Sequence, residues 1–162
     1  MKTQKSEDEL LREHLVDLII QGNAHASFQE ATENISIDNI GIKPFALPYS
    51  IWMLVEHIRT TQADILNFSR NPGYKSPNWP DDFWPKEQAP DDRERWDKSL
   101  KRYKHDRDVF IALIQNPGND LYLPFPYGEG QNLLREALLI ADHTSYHVGE
   151  IIVIRRLLKD WD

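Results

Sequence analysis

The sequence predicts an all-α protein, a four-helix bundle, and three observations carry that prediction. Four segments place apolar residues at helical spacings of three and four. No segment shows the period of two that a half-buried strand needs. The stretches between the four are punctuated by proline, glycine and asparagine.

The first helix starts at Ser6. In "SEDE" the Ser6 hydroxyl can cap the backbone of Glu9 while the Glu9 carboxylate reaches back. Leu11, Leu15, Leu18 and Ile19 then form an apolar stripe that ends near Gly22. Residues 23–48 make a long connection, in which "SFQEATENI" is expected to form a short extra helix. "GIKPFALP" is expected to be extended, because proline disfavours the helical conformation in the residue before it.

The second helix follows Pro48 and runs through "YSIWMLVEHIRTTQADILNFSR", until "RNPG" stops it. Leu54, His57, Ile58, Thr61, Ile65 and Phe68 share its inner stripe. Residues 71–90 hold Pro72, Pro77, Pro80, Pro85 and Pro90 together with Trp79 and Trp84. Proline lacks the N–H that regular elements use, so this segment is a loop. It is either a crossover that its tryptophans fasten to the bundle or a lid over a pocket.

The third helix covers 91–115, with Trp96, Leu100, Tyr103, Phe110 and Ile114 on one face. "NPGND" ends it and "LYLPFPYGEG" is irregular. The fourth helix opens at Asn132, an N-cap residue, and extends toward Lys159. Long first and second connections allow neighbouring helices to run parallel, so a simple up-down-up-down order is not expected. The 162 residues fit one domain spanning 1–162, long enough to bury a core.

A net charge of -7 argues against nucleic acid and anionic membrane as partners, since both repel an acidic surface. "KSLKRYK" (Lys98 to Lys104) is the one basic run; acidic residues flank it, and it reads as a solvated helix face. There is no cysteine, which excludes disulfides, thiolate metal sites and a cysteine nucleophile, and fits a reducing cytosol. The opening "MKTQKSEDELLREHL" has no apolar signal core, and no apolar run approaches the ~20 residues that cross a bilayer. A soluble, cytoplasmic protein is expected.

The stretch "LLIADHTSYHVGEIIVIRRLL" poses the functional question. Ile140, His143, His147, Ile151, Ile154 and Leu158 follow spacings of 3, 4, 4, 3 and 4, so both histidines lie on an apolar helix face. Side chains at i and i+4 have Cβ atoms about 6 Å apart, close enough for two imidazoles to meet one ion at about 2.1 Å. His57, on the inner stripe between Leu54 and Thr61, is the natural third donor. Three neutral imidazoles leave a divalent ion its full charge and one coordination position open, as a catalytic site requires. The competing reading is three core histidines whose ring N–H groups bond to carbonyls. Glu150, three residues after His147, could accept a ring N–H from a ligand histidine, move a proton, or form a salt bridge at a solvated edge. Asp142 and Tyr146 point away from that face. His105 in "KHDRD" is expected to be exposed, His14 is open either way, and His25 could line a pocket mouth.

"LVEHIRTTQADIL" together with "ADHTSYHVGEI" resembles the DinB-like (DinB/YfiT-type) metalloenzyme superfamily, and the likeness extends to "WPDDFWP" and "GQNLLREALLIADHTSYHVGEI". The resemblance implies an up-down-down-up four-helix bundle with a long crossover between helices 2 and 3. It implies a site for zinc or nickel on His57, His143 and His147. It also implies a metal-dependent enzyme: some relatives are transferases or isomerases that use a low-molecular-weight thiol such as mycothiol or bacillithiol, and others are hydrolases. Because the chain has no cysteine, a sulfur nucleophile would have to arrive with a cosubstrate. The alternative in another class is a non-catalytic metal or small-ligand binding protein whose ion staples two helices. Many relatives are homodimers, and an exposed Trp79–Trp84 segment would give such a dimer apolar surface.

Overall fold

Each long helix begins where a small polar side chain can satisfy a backbone N–H that has no partner within the helix. The structure, a computed structural model, describes residues 5–161. Residues 1–4 and 162, which a domain spanning 1–162 also includes, lie outside the described residues. The described residues form α1 (Glu7–Gln21), α2 (Phe28–Thr32), α3 (Ile51–Arg70), α4 (Arg93–Gln115) and α5 (Leu133–Leu157), and contain no strand.

Ser6 and Glu9 cap α1 reciprocally, as "SEDE" predicts, and Ser27 with Glu30 builds the same device for the short α2. Ser50 caps α3 and Asp92 caps α4, which moves both starts a residue or two inward from those expected. Asn132 caps α5. At the end of α1, Gly22 takes φ 63° and lies against the His25 ring. A Cβ there would strain the backbone and meet that ring at 2.6 Å.

Helix α3 packs on α4 and α5, α1 packs on the same two, and α2 lies on α5. Along α3 and α4, Trp52 faces Trp96 with ring centroids 6.4 Å apart. The Ser99 hydroxyl donates to Glu56, and Gln62 Nε2 donates to the Tyr103 carbonyl at 2.8 Å. Arg12 of α1 donates to the Ile114, Asn116 and Asn119 carbonyls at the far end of α4. Ile114 lies in the last turn of α4, whose carbonyls lack a partner within the helix, and Asn116 and Asn119 lie in the turn that follows, so a buried guanidinium closes the helix end. Arg155 of α5 does the same for α2, donating to the Ala31 and Glu33 carbonyls, both at 3.1 Å.

Two apolar clusters fill the interior. One gathers Trp52, Leu54, Ile58, Trp96, Val148 and Ile151; the other gathers Leu15, Ile65, Phe110, Ile114, Ala137 and Ile140. Each large side chain so buried is worth about 1.5–3 kcal/mol. On α5, His143 and His147 fall in sequence between the residues of one cluster and those of the other, while on α3 His57 lies within the first cluster, between Val55 and Ile58. An unpartnered polar group there would cost about 1–3 kcal/mol, as much as a good apolar contact returns. What the histidines bond to therefore matters for the fold itself. No helix among the described residues is long and apolar enough to cross a membrane.

Candidate metal centre

His57 comes from the middle of α3, and His143 and His147 stand one turn apart on α5. The seam between these helices brings one nitrogen of each imidazole within 4.8 Å of the others. His57 and His147 are buried and His143 is half-buried. Ligand nitrogens around a tetrahedral ion stand roughly 3.3 Å apart when each is 2.0–2.1 Å from the metal. His57 Nε2 and His143 Nε2 are already 3.0 Å apart.

The hydrogen bonds on the outer side of the rings decide which nitrogens face inward. His57 Nδ1–H donates to the Phe83 carbonyl at 3.0 Å, so its Nε2 carries the lone pair. His147 Nδ1–H donates to Glu150 Oε2 at 2.6 Å, which leaves its Nε2 free in the same way. The other Glu150 oxygen accepts the Tyr49 hydroxyl at 2.6 Å. This bond, with burial adding to it, pushes the Tyr49 hydroxyl up to about 12, so it keeps its proton and remains a donor.

Burial also sets the charge of the histidines. It pushes His57 below the usual imidazole range, an effect that the bond to the Phe83 carbonyl partly opposes. Burial, with His147 and His57 beside it, takes His143 down to about 3. Two of the three are thus held in the neutral form that a cation needs.

The proline-rich segment between α3 and α4 closes one side of the centre. Its single turn at Asp81–Phe83 buries the Phe83 ring and aims the Phe83 carbonyl at His57. Trp84 stacks on the His57 ring with centroids 3.9 Å apart and planes 4° apart. Trp79 stays 69% exposed, with its centroid 6.3 Å from His57. Of the two tryptophans, then, Trp84 is fastened to its own bundle and Trp79 is not.

The remaining candidates fall outside the triad. His14 and His105 are exposed. His25 is exposed too, and its Nε2 lies 2.8 Å from the Ser145 hydroxyl in a small crevice against α1. Asp142 is exposed, whereas the exposed Tyr146 sets its ring edge-on to His147 at 4.9 Å. The basic run keeps Lys98, Lys101, Arg102 and Lys104 exposed while Ser99 and Tyr103 between them are buried, as a solvated helix face requires.

Sequence reasoning did not find Tyr49 or the Phe83 carbonyl. Tyr49 lies outside any helix, where no period marks which way a side chain points, and a backbone carbonyl leaves no trace in residue type at all. A sharper signal existed for Trp84, whose loop was already conspicuous.

Three convergent imidazoles, two of them with a fixed outer partner, make a donor set suited to one divalent ion. Compared with protein-family models, with curated proteins and with solved structures, the chain gives no significant match.

Proposed function

We propose that the chain is a metal-dependent enzyme of the DinB-like type, holding zinc or nickel on His57, His143 and His147 and transferring a group with the help of a low-molecular-weight thiol. The observation that carries this reading is the pair of outer hydrogen bonds, from His57 to Phe83 and from His147 to Glu150. Core histidines need one bond each and no common focus. Here the bonded nitrogens face outward, and the remaining ones converge on a point with no acidic side chain among them.

Bound there, a divalent ion supplies Lewis acidity, lowering the pKa of a coordinated water or thiol. The residues supply the rest. His57, His143 and His147 donate lone pairs without charge, so an anionic group is favoured at any further position. Glu150 holds the His147 ring in one tautomer. Trp84 walls off the His57 ring from solvent. No cysteine competes for the ion, and a sulfur nucleophile must come from outside the chain.

The helix contacts support the up-down-down-up order with its long crossover. Residue numbers rise together in the contacts of Trp52 with Trp96 and Gln62 with Tyr103, as they would in parallel helices. The contact of Arg12 with Ile114 joins the start of α1 to the end of α4, as in antiparallel ones. The exposed Trp79 is the surface on which we place a homodimer contact, and the cytoplasmic location we assign is one that the cysteine-free composition fits.

The test is a thiol titration of cobalt-substituted protein. A sulfur-to-cobalt charge-transfer band at millimolar thiol is expected. If no thiol perturbs the spectrum, the transferase reading fails, and hydrolysis or simple metal or small-ligand binding takes its place.

A further inference from the structure

Glu150 is held from two directions, and only one of them comes from a histidine. Its Oε2 accepts the His147 N–H and its Oε1 accepts the Tyr49 hydroxyl, both at 2.6 Å. Tyr49 belongs to the non-helical segment immediately before α3, whereas Glu150 and His147 belong to α5. The chain of bonds therefore crosses the seam on which the three histidines meet.

The Tyr49 ring makes a second connection. It stacks on Trp84 with centroids 6.2 Å apart and planes 17° apart, and Trp84 in turn stacks on His57. One side chain thus reaches His147 through a carboxylate and His57 through an indole.

We propose that Tyr49 is a positioning residue of the metal centre: its hydroxyl pins Glu150 and, through Glu150, fixes the tautomer and ring plane of His147. A half-buried glutamate on a helix surface has several rotatable bonds and water to turn to. A single bond to a residue one turn away does not hold it. A second bond from a different element does, because the two donors fix both oxygens. The same arrangement makes Glu150 an orienting group, since neither oxygen is left without a hydrogen-bond donor. This proposal rests on the metal reading of the three histidines, but its first consequence appears without any metal.

Tyr49→Phe keeps the ring on Trp84 and removes only the hydroxyl. Nitrogen-15 NMR of the histidine rings in metal-free protein reads the tautomer directly, and competition with a chromophoric chelator reads zinc affinity. In the parent, His147 is expected as the Nδ1–H tautomer. In Tyr49→Phe it becomes a mixture, and zinc affinity falls roughly three- to tenfold, less than the roughly 10–100-fold expected on losing Glu150 itself. Adding Tyr49→Phe to Glu150→Ala should cost nothing further, because the hydroxyl acts only through the carboxylate. Tyr146→Phe, which alters a tyrosine beside His147 with no bond to Glu150, should behave as the parent. An unchanged tautomer in Tyr49→Phe, or a full additional loss in the double variant, overturns the proposal. If the parent binds no zinc, the metal reading falls, and the tautomer measurement alone then decides the role of Tyr49.

Discussion

The Nε2 atoms of His57 and His143 face each other at 3.0 Å across 86 residues of sequence. Because His57 gives its one N–H to the Phe83 carbonyl, it has only a lone pair to offer in return. Two lone pairs do not hold each other. Either His143 turns a proton into the gap or a cation occupies it, and the third imidazole beside them completes a donor set that could hold the cation.

Protein purified without chelator is expected to contain one divalent ion per chain by elemental analysis. Changing His57, His143 or His147 singly to alanine should weaken binding by more than the roughly 10–100-fold typical of losing an outer partner. Zinc bound to the triple variant as tightly as to the parent would refute the site.

Metal-free protein should lose stability as acid is added, over a window that the histidines set. Burial holds His57 and His143 below the ordinary value of 6.5, His143 at about 3. In the unfolded chain both protonate near 6.5, so below that pH the unfolded state binds more protons and folding weakens. Stability is full above about 6.5 and declines toward about 3. Calorimetry from pH 7 to pH 4 should show the decline, and His143→Leu, which cannot take up the proton, should flatten it. A parent and variant with equal slopes would speak against the burial argument.

Glu150→Gln should lower zinc affinity about tenfold or more. The amide offers one acceptor oxygen where two donors, Tyr49 and His147, now each find one. Its NH2 group must then face a donor. Turnover should fall further still if Glu150 also handles a proton, and equal losses in affinity and rate would restrict it to orientation.

Trp84 should report on the ion optically. Its ring lies 3.9 Å from a ligand imidazole, so binding of copper or nickel is expected to quench its fluorescence, and Trp84→Phe should remove most of that response. Trp84→Ala should also destabilise the protein by about 2 kcal/mol, below the 3–5 kcal/mol of a fully buried aromatic because this one is half-buried. Urea denaturation measures it. Quenching that survives without Trp84 would mean that another tryptophan senses the ion.

The parts of this molecule legible in the sequence are those governed by a period or a cap. His143 and His147 declared themselves by falling four apart among isoleucines, and His57 by sharing a stripe with Leu54 and Ile58. Ser6, Glu9 and Asn132 marked helix starts because only short polar side chains reach the free N–H groups there. The starts of α3 and α4 slipped because Ser50 and Asp92 each come within two residues of another, Pro48 or Asp91, that can also open a helix. The outer partners of the histidines stayed hidden for a different reason. Tyr49 and Phe83 reach the centre by tertiary packing of segments without regular structure, and such contacts follow no local rule. Which way the loop tryptophans divided, with Trp84 inward and Trp79 outward, was equally beyond a pattern of prolines.

An ion shared by α3 and α5 would close a ring of 86 residues between His57 and His143, with the crossover, α4 and its following turn inside it. That makes it a reversible crosslink. Because it binds the folded chain alone, stability grows with the logarithm of free metal, by about 2.7 kcal/mol once the ion stands a hundredfold above its dissociation constant. Chelation would then act as a mild denaturant, and the melting temperature would serve as a metal gauge. A chain made while the ion is scarce would open more often and meet proteases sooner, so its abundance would follow the supply of the ion.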